Sequence, residues 1–434
     1  MITEHEGPGP LVILANFVSP LAVDLLEESV LRQWAQQAPR KLWLTRPGDV
    51  VITPVPFSDA FCRYVFHRTG IPDGSVTVIT VPDTPHVPMA EALAVHGLLD
   101  PLRALARERP GARLLPTAFD EASVGLAADL RIPVVPYEMG LPHPGVLGTV
   151  ADLNTKSGFR AVADRLGLRL PHGMVCTGAE LDSVTKEMLA GHEQVVMKPN
   201  RSAGGHGLRF VTRGEGSAHP VPAPGSRWVV EAYVDHTMAI SAQGDVIAGR
   251  AQVTYDGEMR MNGGSFAGYR SPLDDLPGPA REELADWTLA LGCELAAEGY
   301  RGPFSLDAVT TRDGTLYALE CNVRRTATTT AHSMVSRLSS TGRAAPAWST
   351  GTVTSTVPLA FDAAVARLTE ADLDFQPGDT EGVLLYADRP ADSINWRYAA
   401  LAADRARLTE LEARLVAAFG AAPPRPADGG IRAR

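Results

Sequence analysis

Short apolar runs alternate with helical patterns throughout residues 1–150, and this alternation limits the fold of that region more than any other feature. The runs are rich in β-branched residues and bounded by turn residues, which is typical of strands. Five such runs are apparent, and they begin at Leu11, Val50, Val76, Ala112 and Ile132. Apolar strands separated by helices are characteristic of a parallel sheet covered on both faces. Residues 1–150 are therefore predicted to form an α/β domain.

The pattern changes near Leu141, where we place the first domain boundary. Residues 151–340 combine strands with long glycine-rich loops and are predicted to form an α+β domain. Helical spacing of apolar residues predicts one helix over Ser157–Leu168 and another over Arg281–Glu298.

The C-terminal part of the chain is smaller and more varied in composition. Residues 340–355 are rich in Ser, Thr, Gly and Ala, and we interpret them as a link. Residues 356–420 are predicted to form a small α/β module that ends in a helix. Residues 421–434 are dominated by Ala, Pro, Gly and Arg and are predicted to be a disordered tail.

Composition argues against several partners. The 40 basic and 50 acidic residues give a net charge of −10, which provides no overall basic footprint for nucleic acid or an anionic membrane. The four cysteines are scattered without a C-x-x-C pair, as in a reducing compartment, and the N-terminus lacks the apolar segment of a signal peptide. We therefore expect a cytoplasmic protein, with a homodimer as the working expectation for its oligomeric state.

A strand followed by a glycine-rich loop is the first candidate for chemistry. The strand beginning at Val195 delivers Lys198, and the loop contains Gly204, Gly205 and Gly207. Glycine lets backbone N–H groups approach phosphate oxygens closely, and the lysine supplies a positive charge. The alternative is an ordinary surface turn with a solvated lysine.

A predicted hairpin carries the second candidate. Asp307 lies on its first strand, while Glu320 and Asn322 lie two residues apart on the return strand and share a face. Two carboxylates and an amide oxygen are ligands suited to Mg²⁺, which takes its remaining ligands from water and substrate phosphates. Asp313 is interpreted as a turn former, and the alternative for the whole motif is the polar face of an exposed hairpin.

Two weaker motifs accompany these. A strand beginning at Trp228 ends near Glu231, and the extended backbone after it is suited to pairing with an adenine edge and a ribose hydroxyl. Lys156 precedes a helix for which Asn154 or Thr155 is the candidate cap, a position favourable to anions. Taken alone, the first motif also fits an ordinary strand end, and the second also fits a surface lysine.

The order of these motifs along residues 150–335 resembles the ATP-grasp superfamily. The resemblance implies an ATP-grasp fold after an N-terminal pre-ATP-grasp α/β domain, and it implies ATP and Mg²⁺, with two ions, as cofactors. The residues that would bind ATP are Lys156, Lys198, Ser202, Gly204, Gly205, Gly207, Glu231, Ala232, Tyr233 and Val234. The residues that would hold the metal ions are Asp307, Glu320 and Asn322. The run from Glu320 to His332 is most similar to the pheganomycin-type peptide ligases.

The reaction that this resemblance implies joins a carboxylate to an amine through an acyl phosphate, with amino acids or peptides as substrates, in specialised peptide biosynthesis such as antibiotic biosynthesis. Arg324 is the first candidate to stabilise the intermediate, and Arg325 is the second. Arg270 and His332 are candidate substrate contacts, against a mobile loop and a structural histidine as alternatives. Two other functions stay open: an ATP-grasp kinase and a catalytically silent nucleotide-binding protein.

Overall fold

The computed structural model describes residues 9–22, 28–84, 86–137, 140–214, 222–262, 265–339 and 347–420. The tail predicted to be disordered, residues 421–434, lies outside the described residues. Within the described part of the chain, no helix has the combination of length and apolar character needed to cross a membrane.

The N-terminal region is built on a parallel sheet of four strands in the order β3-β2-β1-β4. Its elements are β1 Leu11–Leu14, α1 Glu28–Ala35, a 3-10 helix Ala38–Leu44, β2 Val50–Thr53, α2 Asp59–Thr69, β3 Thr77–Thr80, α3 Met89–Val95, α4 Leu99–Arg107, β4 Arg113–Pro116 and α5 Glu121–Leu130. Strands β1 and β2 are fully buried, as expected for a sheet covered on both faces. The fifth predicted run forms only an isolated parallel bridge between Leu114 and Val134.

An antiparallel sheet of four strands follows, in the order β5-β8-β6-β7. The elements of this region are α6 Pro144–Leu153, α7 Lys156–Arg165, β5 Gly173–Thr177, α8 Leu181–Gly191, β6 Gln194–Pro199, β7 Arg209–Thr212 and β8 Arg227–Ala232. Helix α7 confirms the helix predicted over Ser157–Leu168, although it ends earlier. Helix α8 packs its buried residues Leu181 and Met188 against the sheet in a small separate core.

The remaining strands form one antiparallel sheet in the order β13-β12-β9-β10-β11-β14-β16-β15. Its elements are β9 Met238–Ile247, β10 Arg250–Asn262, β11 Ser265–Ser271, α9 Gly278–Ala297, β12 Gly302–Thr310, β13 Leu316–Asn322, α10 Ala327–Leu338, β14 Ala347–Thr354, α11 Phe361–Glu370, β15 Gly382–Leu385, β16 Asn395–Ala402 and α12 Arg405–Gly420. The predicted hairpin is confirmed as β12 and β13, and α9 confirms the helix predicted over Arg281–Glu298.

The link predicted over residues 340–355 is wrong for its described part, because residues 347–354 form β14. This strand pairs with β11 on one side and β16 on the other, so the C-terminal module extends the large sheet. Small side chains made the segment resemble a linker, but five successive residues from Ala347 to Gly351 are buried. Helices α2 and α11 meet in the same apolar core, where Phe61 and Phe361 rings lie 5.6 Å apart.

Candidate active site

A cavity of about 640 Å³ opens between the two antiparallel sheets and reaches the parallel sheet. The sequence-predicted residues that line it are Lys156, Lys198, Ser202, Gly204, Gly205, Glu231, Ala232, Tyr233, Val234, Asp307, Glu320, Asn322, Arg324 and Arg325. Of the predicted nucleotide and metal residues, only Gly207 does not line it. Residues far apart in sequence, such as Lys156 and Glu320, are therefore brought together at one place.

Polar side chains cross three neighbouring strands on the floor of this cavity. Ser241 on β9, Asp307 on β12 and Glu320 on β13 occupy directly opposed positions of the sheet. The next row consists of Gln243, Ser305 and Asn322 in the same strand order. The Ser241 hydroxyl donates a hydrogen bond of 2.6 Å to Asp307 Oδ1. The predicted juxtaposition of Asp307 and Glu320 therefore follows from the hairpin register.

The two acidic side chains differ in protonation. Burial, together with the negative charge of Glu320, raises the pKa of Asp307 to about 7. Burial also disfavours ionised Glu320, but the ammonium group of Lys156, which contacts its Oε2, outweighs this effect and holds the pKa of Glu320 below its ordinary value. The pair therefore lacks enough positive charge to ionise both carboxyl groups fully at neutral pH.

Lys156 is the first residue of α7, and its position is set by the helix cap. The Thr155 hydroxyl accepts a hydrogen bond of 2.9 Å from the Gly158 N–H, which identifies Thr155 rather than Asn154 as the cap. The buried ammonium group of Lys156 donates to the Ser202 carbonyl oxygen at 3.0 Å, besides contacting Glu320. The lysine therefore joins the helix, the glycine-rich loop and the acidic pair.

Glu231 holds a second buried lysine. Its Oε2 lies 2.5 Å from Lys198 Nζ, and its Oε1 accepts a hydrogen bond of 2.6 Å from Arg160. With 2% of its surface exposed and both oxygens engaged, the carboxylate is positioned to orient Lys198 rather than to bind a ribose hydroxyl. The role that we assign to the Glu231 side chain is therefore to position Lys198, in place of the predicted ribose contact.

The backbone after β8 offers fewer free groups than the sequence suggests. The N–H groups of Ala232 and Tyr233 already donate to the carbonyl oxygens of His172 and Gln194 at 2.8 and 2.9 Å. Donation of a backbone hydrogen bond to an adenine edge would therefore fall to N–H groups after Tyr233. The aromatic rings of Phe210 and Tyr233 meet edge to face, with centroids 6.0 Å apart, and both line the cavity.

The glycine-rich loop needs its glycines for conformational reasons. Gly204 and Gly205 have φ values of 61° and 80°, in the left-handed region that favours glycine. Gly207 has φ 75°, and a Cβ there would come within 2.9 Å of the Pro199 side chain. The Gly204 carbonyl oxygen accepts a hydrogen bond of 3.2 Å from Phe266 of β11. The loop thus lies across the cavity towards the large sheet.

The arginines after β13 occupy different environments. Arg324 donates to Asn322 Oδ1 at 2.6 Å and also to Asn154, and burial lowers its pKa despite the nearby carboxylates of Glu320 and Asp307. Arg325 turns towards the parallel sheet, where it donates to the Pro116 carbonyl oxygen at 3.2 Å. Both side chains line the cavity, and Arg324 is the one that contacts the polar rows.

Arg270 and His332, the predicted substrate contacts, do not line the cavity. Arg270 forms an ion pair of 2.9 Å with Glu412, which also binds Arg260 at 2.6 Å. His332 stacks on the Tyr255 ring with centroids 4.0 Å apart. These contacts between the large sheet and helices α10 and α12 give both residues structural partners, so we make no substrate assignment for them.

The donor atoms fit Mg²⁺ in part. The oxygens of Asp307 and Glu320 are the hard ligands that Mg²⁺ prefers, but Asn322 donates its Nδ2 to Asp307 Oδ2 at 3.1 Å and directs its Oδ1 to Arg324. The amide oxygen would become a ligand only after rotating away from Arg324. The described residues contain no cluster of three or more His, Cys, Asp or Glu side chains that could hold a metal ion. An ion here would therefore depend on ligands from substrate phosphates and water.

Several residues that line the cavity or contact its lining were missed in the sequence. Arg160 lies four positions after Lys156 on α7, so helical spacing alone could have placed both on one face. Ser241 and Gln243 are separated by two on a strand, a spacing that also shares a face. Phe210 follows the glycine-rich loop directly, as an apolar residue in a strand. None of these signals is specific until the neighbouring strands are known.

Two family models match parts of the sequence: the Pre ATP-grasp domain over residues 38–132 and the PGM1 C-terminal domain over residues 363–415. No curated protein matched the sequence. Among solved structures, the chain is similar to biotin carboxylase from Campylobacter jejuni, with 14% identity, a TM-score of 0.56, and coverage of 93% of this chain and 90% of that one. It is also similar to N5-carboxyaminoimidazole ribonucleotide synthetase from Thermus thermophilus, with 15% identity, a TM-score of 0.58, and coverage of 96% and 100%.

The chain has the ATP-grasp fold. The predicted arrangement, with an N-terminal pre-ATP-grasp domain before the ATP-grasp fold, is confirmed. N5-carboxyaminoimidazole synthetase from Staphylococcus aureus, solved with ADP, is a further structure with this similarity, at 12% identity, a TM-score of 0.52, and coverage of 96% and 100%. At these identities the similarity establishes the fold, and the activity has to be inferred from the site.

Proposed function

We propose that the protein is an ATP-dependent carboxylate–amine ligase that forms an amide bond through an acyl phosphate and releases ADP and phosphate. The observation that carries this proposal is the contact between Lys156 and Glu320, beside Asp307, in a cavity that Lys198 also lines. Two buried ammonium groups and two carboxyl groups in one cavity suit a substrate that brings both phosphates and divalent ions. The similar S. aureus synthetase, solved with ADP, is consistent with nucleotide binding in this fold.

In this proposal the nucleotide lies along the cavity. Lys156 and Lys198 hold the phosphates, while Ser202, Gly204, Gly205 and Gly207 belong to the loop that covers them. Ala232, Tyr233 and Val234 line the adenine, next to the exposed ring of Phe210. Asp307 and Glu320 would hold Mg²⁺, and Asn322 would join them if its amide oxygen turned away from Arg324. Bound Mg²⁺ would neutralise charge on the β- and γ-phosphate oxygens.

The proposed chemistry has two displacements. A carboxylate oxygen of the acid substrate attacks the γ-phosphorus, the bond from that phosphorus to the bridging oxygen breaks, and ADP leaves. The amine nitrogen then attacks the acyl carbon, the bond to the phosphate oxygen breaks, and the amine proton passes to solvent. Because negative charge develops on oxygen in both steps, the buried guanidinium of Arg324 is suited to stabilise it, with Arg325 as the second candidate.

The finer assignment is peptide-bond formation between an amino acid and an amino acid or peptide, in specialised peptide biosynthesis. It rests on the resemblance of residues 320–332 to the pheganomycin-type peptide ligases. An α-amine has an ordinary pKa of about 8, so a useful fraction is already neutral and no strong general base is required. This is consistent with the absence of an assigned base among the described cavity residues.

A screen of acid and amine pairs tests the proposal. Purified protein is incubated with ATP, Mg²⁺ and pairs of amino acids and short peptides, phosphate release is measured, and products are identified by mass. A ligase turns over repeatedly and releases phosphate with formation of the amide product only when both an acid and an amine are present. Phosphorylation of an alcohol without an amine would instead establish a kinase, and failure to bind ATP would refute both enzymatic functions.

A further inference from the structure

The cavity extends beyond the proposed nucleotide site to the carboxyl edge of the parallel sheet. In the strand order β3-β2-β1-β4 the direction of winding reverses between β1 and β4. Ligands of open α/β sheets bind in the crevice outside the carboxyl ends of the strands at such a point. The loops after these two strands line the cavity through Asn16, Phe17, Thr117 and Ala118.

Arg40 reaches this part of the cavity from the 3-10 helix Ala38–Leu44. Its residue surface is 2% exposed, and its guanidinium carbon lies 4.8 Å from the centre of the Phe17 ring. The side chain donates a hydrogen bond to the Gln37 amide oxygen, but its Nε has no hydrogen-bond partner among the described residues. No acidic residue in the described ranges forms an ion pair with Arg40. Such a buried cation normally requires a counter-charge.

A second arginine approaches Arg40 from the other end of the chain. Arg397 lies on β16, lines the same cavity, and has no ion pair with any described residue. Burial lowers the pKa of Arg40 to about 10, the neighbouring Tyr386 phenol opposes this shift, and the like charge of Arg397 adds to it. Arg40 and Arg397 therefore place two like charges at one cavity, and no described acidic residue forms an ion pair with either of them.

Two like charges in a partly buried cavity repel one another, so the fold gains nothing from the pair unless an anion joins it. A planar guanidinium binds carboxylate or phosphate oxygens through paired hydrogen bonds. We propose that Arg40 and Arg397 bind an oxyanion of a substrate, a carboxylate or phosphate group that does not itself react. This inference rests on the proposed ligase function, because it assigns a substrate to the same cavity.

The remaining walls suggest the shape of that substrate. Phe17 and Trp34 line the cavity near Arg40, and Met259 and Phe266 line it from the β10–β11 hairpin. An amine substrate with an anionic end would fit the two arginines, and an apolar body would fit these walls. The free carboxylate of an amino acid or peptide is one such group, and the phosphate of a phosphorylated amine is the other.

Thermal unfolding of the full chain provides the test. The unfolding midpoint is measured with a non-hydrolysable ATP analogue and Mg²⁺ present, so that small anions do not occupy the nucleotide site. Sodium acetate or inorganic phosphate is then added to about 20 mM at constant ionic strength. The variants are Arg40→Met and Arg397→Met, and Arg107→Met on the exposed end of α4 is the matched control.

We expect at least one of the two anions to raise the midpoint of the wild type and the control by about 2 °C or more. The shift should fall to less than half in each cavity variant, and the anion that causes it identifies carboxylate or phosphate. No shift in the wild type, or equal shifts in wild type and variants, would overturn the inference. If the ATP analogue by itself did not raise the unfolding midpoint, that result would count against the proposed function. The anion shifts of wild type and variants would still test the role of the two arginines.

Discussion

Asp307 and Glu320 stand directly opposite each other on antiparallel strands β12 and β13, with Lys156 in contact with Glu320. Like charges at opposed positions of a sheet are unfavourable, and here the contact is buried as well. Lys156 stabilises the ionised form of Glu320, while the pKa of Asp307 is raised to about 7. A divalent ion would favour the ionised form of both carboxyl groups in this buried site.

Replacing Glu320 should reduce catalysis sharply. We expect Glu320→Ala to lower turnover by at least ~10²-fold, since removing one electrostatic group that acts on the transition state has effects of this size. The measurement is phosphate release with a substrate pair found by the screen. Asp313→Asn is the matched control, because Asp313 is an exposed acid in the turn of the same hairpin, where it accepts a hydrogen bond from the Thr315 N–H. An unchanged rate in Glu320→Ala would refute the metal assignment.

Steady-state kinetics should distinguish the role of Lys198 from that of Glu231. Lys198→Met removes a proposed phosphate contact and should raise the KM for ATP about tenfold or more, because each 1.4 kcal/mol of lost binding is a factor of ten. Glu231→Gln keeps Lys198 but removes the charge that orients it, so a smaller increase is expected. Lys186→Met, on the exposed face of α8, should leave the KM unchanged. A ribose contact from Glu231 would instead make both cavity variants equally defective.

Glu412 should stabilise the fold in a pH-dependent manner. Burial disfavours the ionised form, but hydrogen bonds from Arg260 and Ser349 outweigh it and lower the pKa to about 2. The stabilisation is therefore complete above the unfolded-state value of about 4.5 and is lost as the pH falls towards 2. We expect Glu412→Gln to reduce the free energy of unfolding by about 3 kcal/mol at pH 7, and by less at pH 3.

Urea unfolding at the two pH values checks this prediction. Glu410→Gln is the control, because Glu410 lies on the same helix with 59% of its side chain exposed, and its ion pair with Arg407 should contribute little. If the effect of Glu412→Gln were the same at pH 3 as at pH 7, the charge of Glu412 would not be its cause.

Breaking the ion pair between Arg68 and Asp374 on one side only should weaken the packing of the C-terminal module. The closest nitrogen and oxygen lie 2.6 Å apart, and the side chains are only 5% and 6% exposed. Asp374→Ala leaves a buried guanidinium without its partner and should reduce the free energy of unfolding by about 3–5 kcal/mol. The double variant Arg68→Met with Asp374→Leu should be closer to wild type. Equal losses in the single and double variants would show that charge pairing is not the reason.

Local patterns explain why many of the residues that line the cavity could be singled out in the sequence. The hairpin that carries Asp307 and Glu320 depends on residues close together in the chain, and the cap of Lys156 depends on the residue before it. Two features required contacts that no local pattern contains. β14 looked like a linker until its pairing with β11 was known, and Arg40 meets Arg397 from the opposite end of the chain.

The apolar core shared by α2 and α11 has a consequence for protein engineering. Buried residues of 42–71 share one apolar core with buried residues of 331–335 and 347–419, although they are far apart in sequence. A chimera that took only its N-terminal segment from a relative would pack side chains from two different proteins against each other in this core. Recombination between such proteins should therefore succeed only when both chain ends are inherited from the same parent.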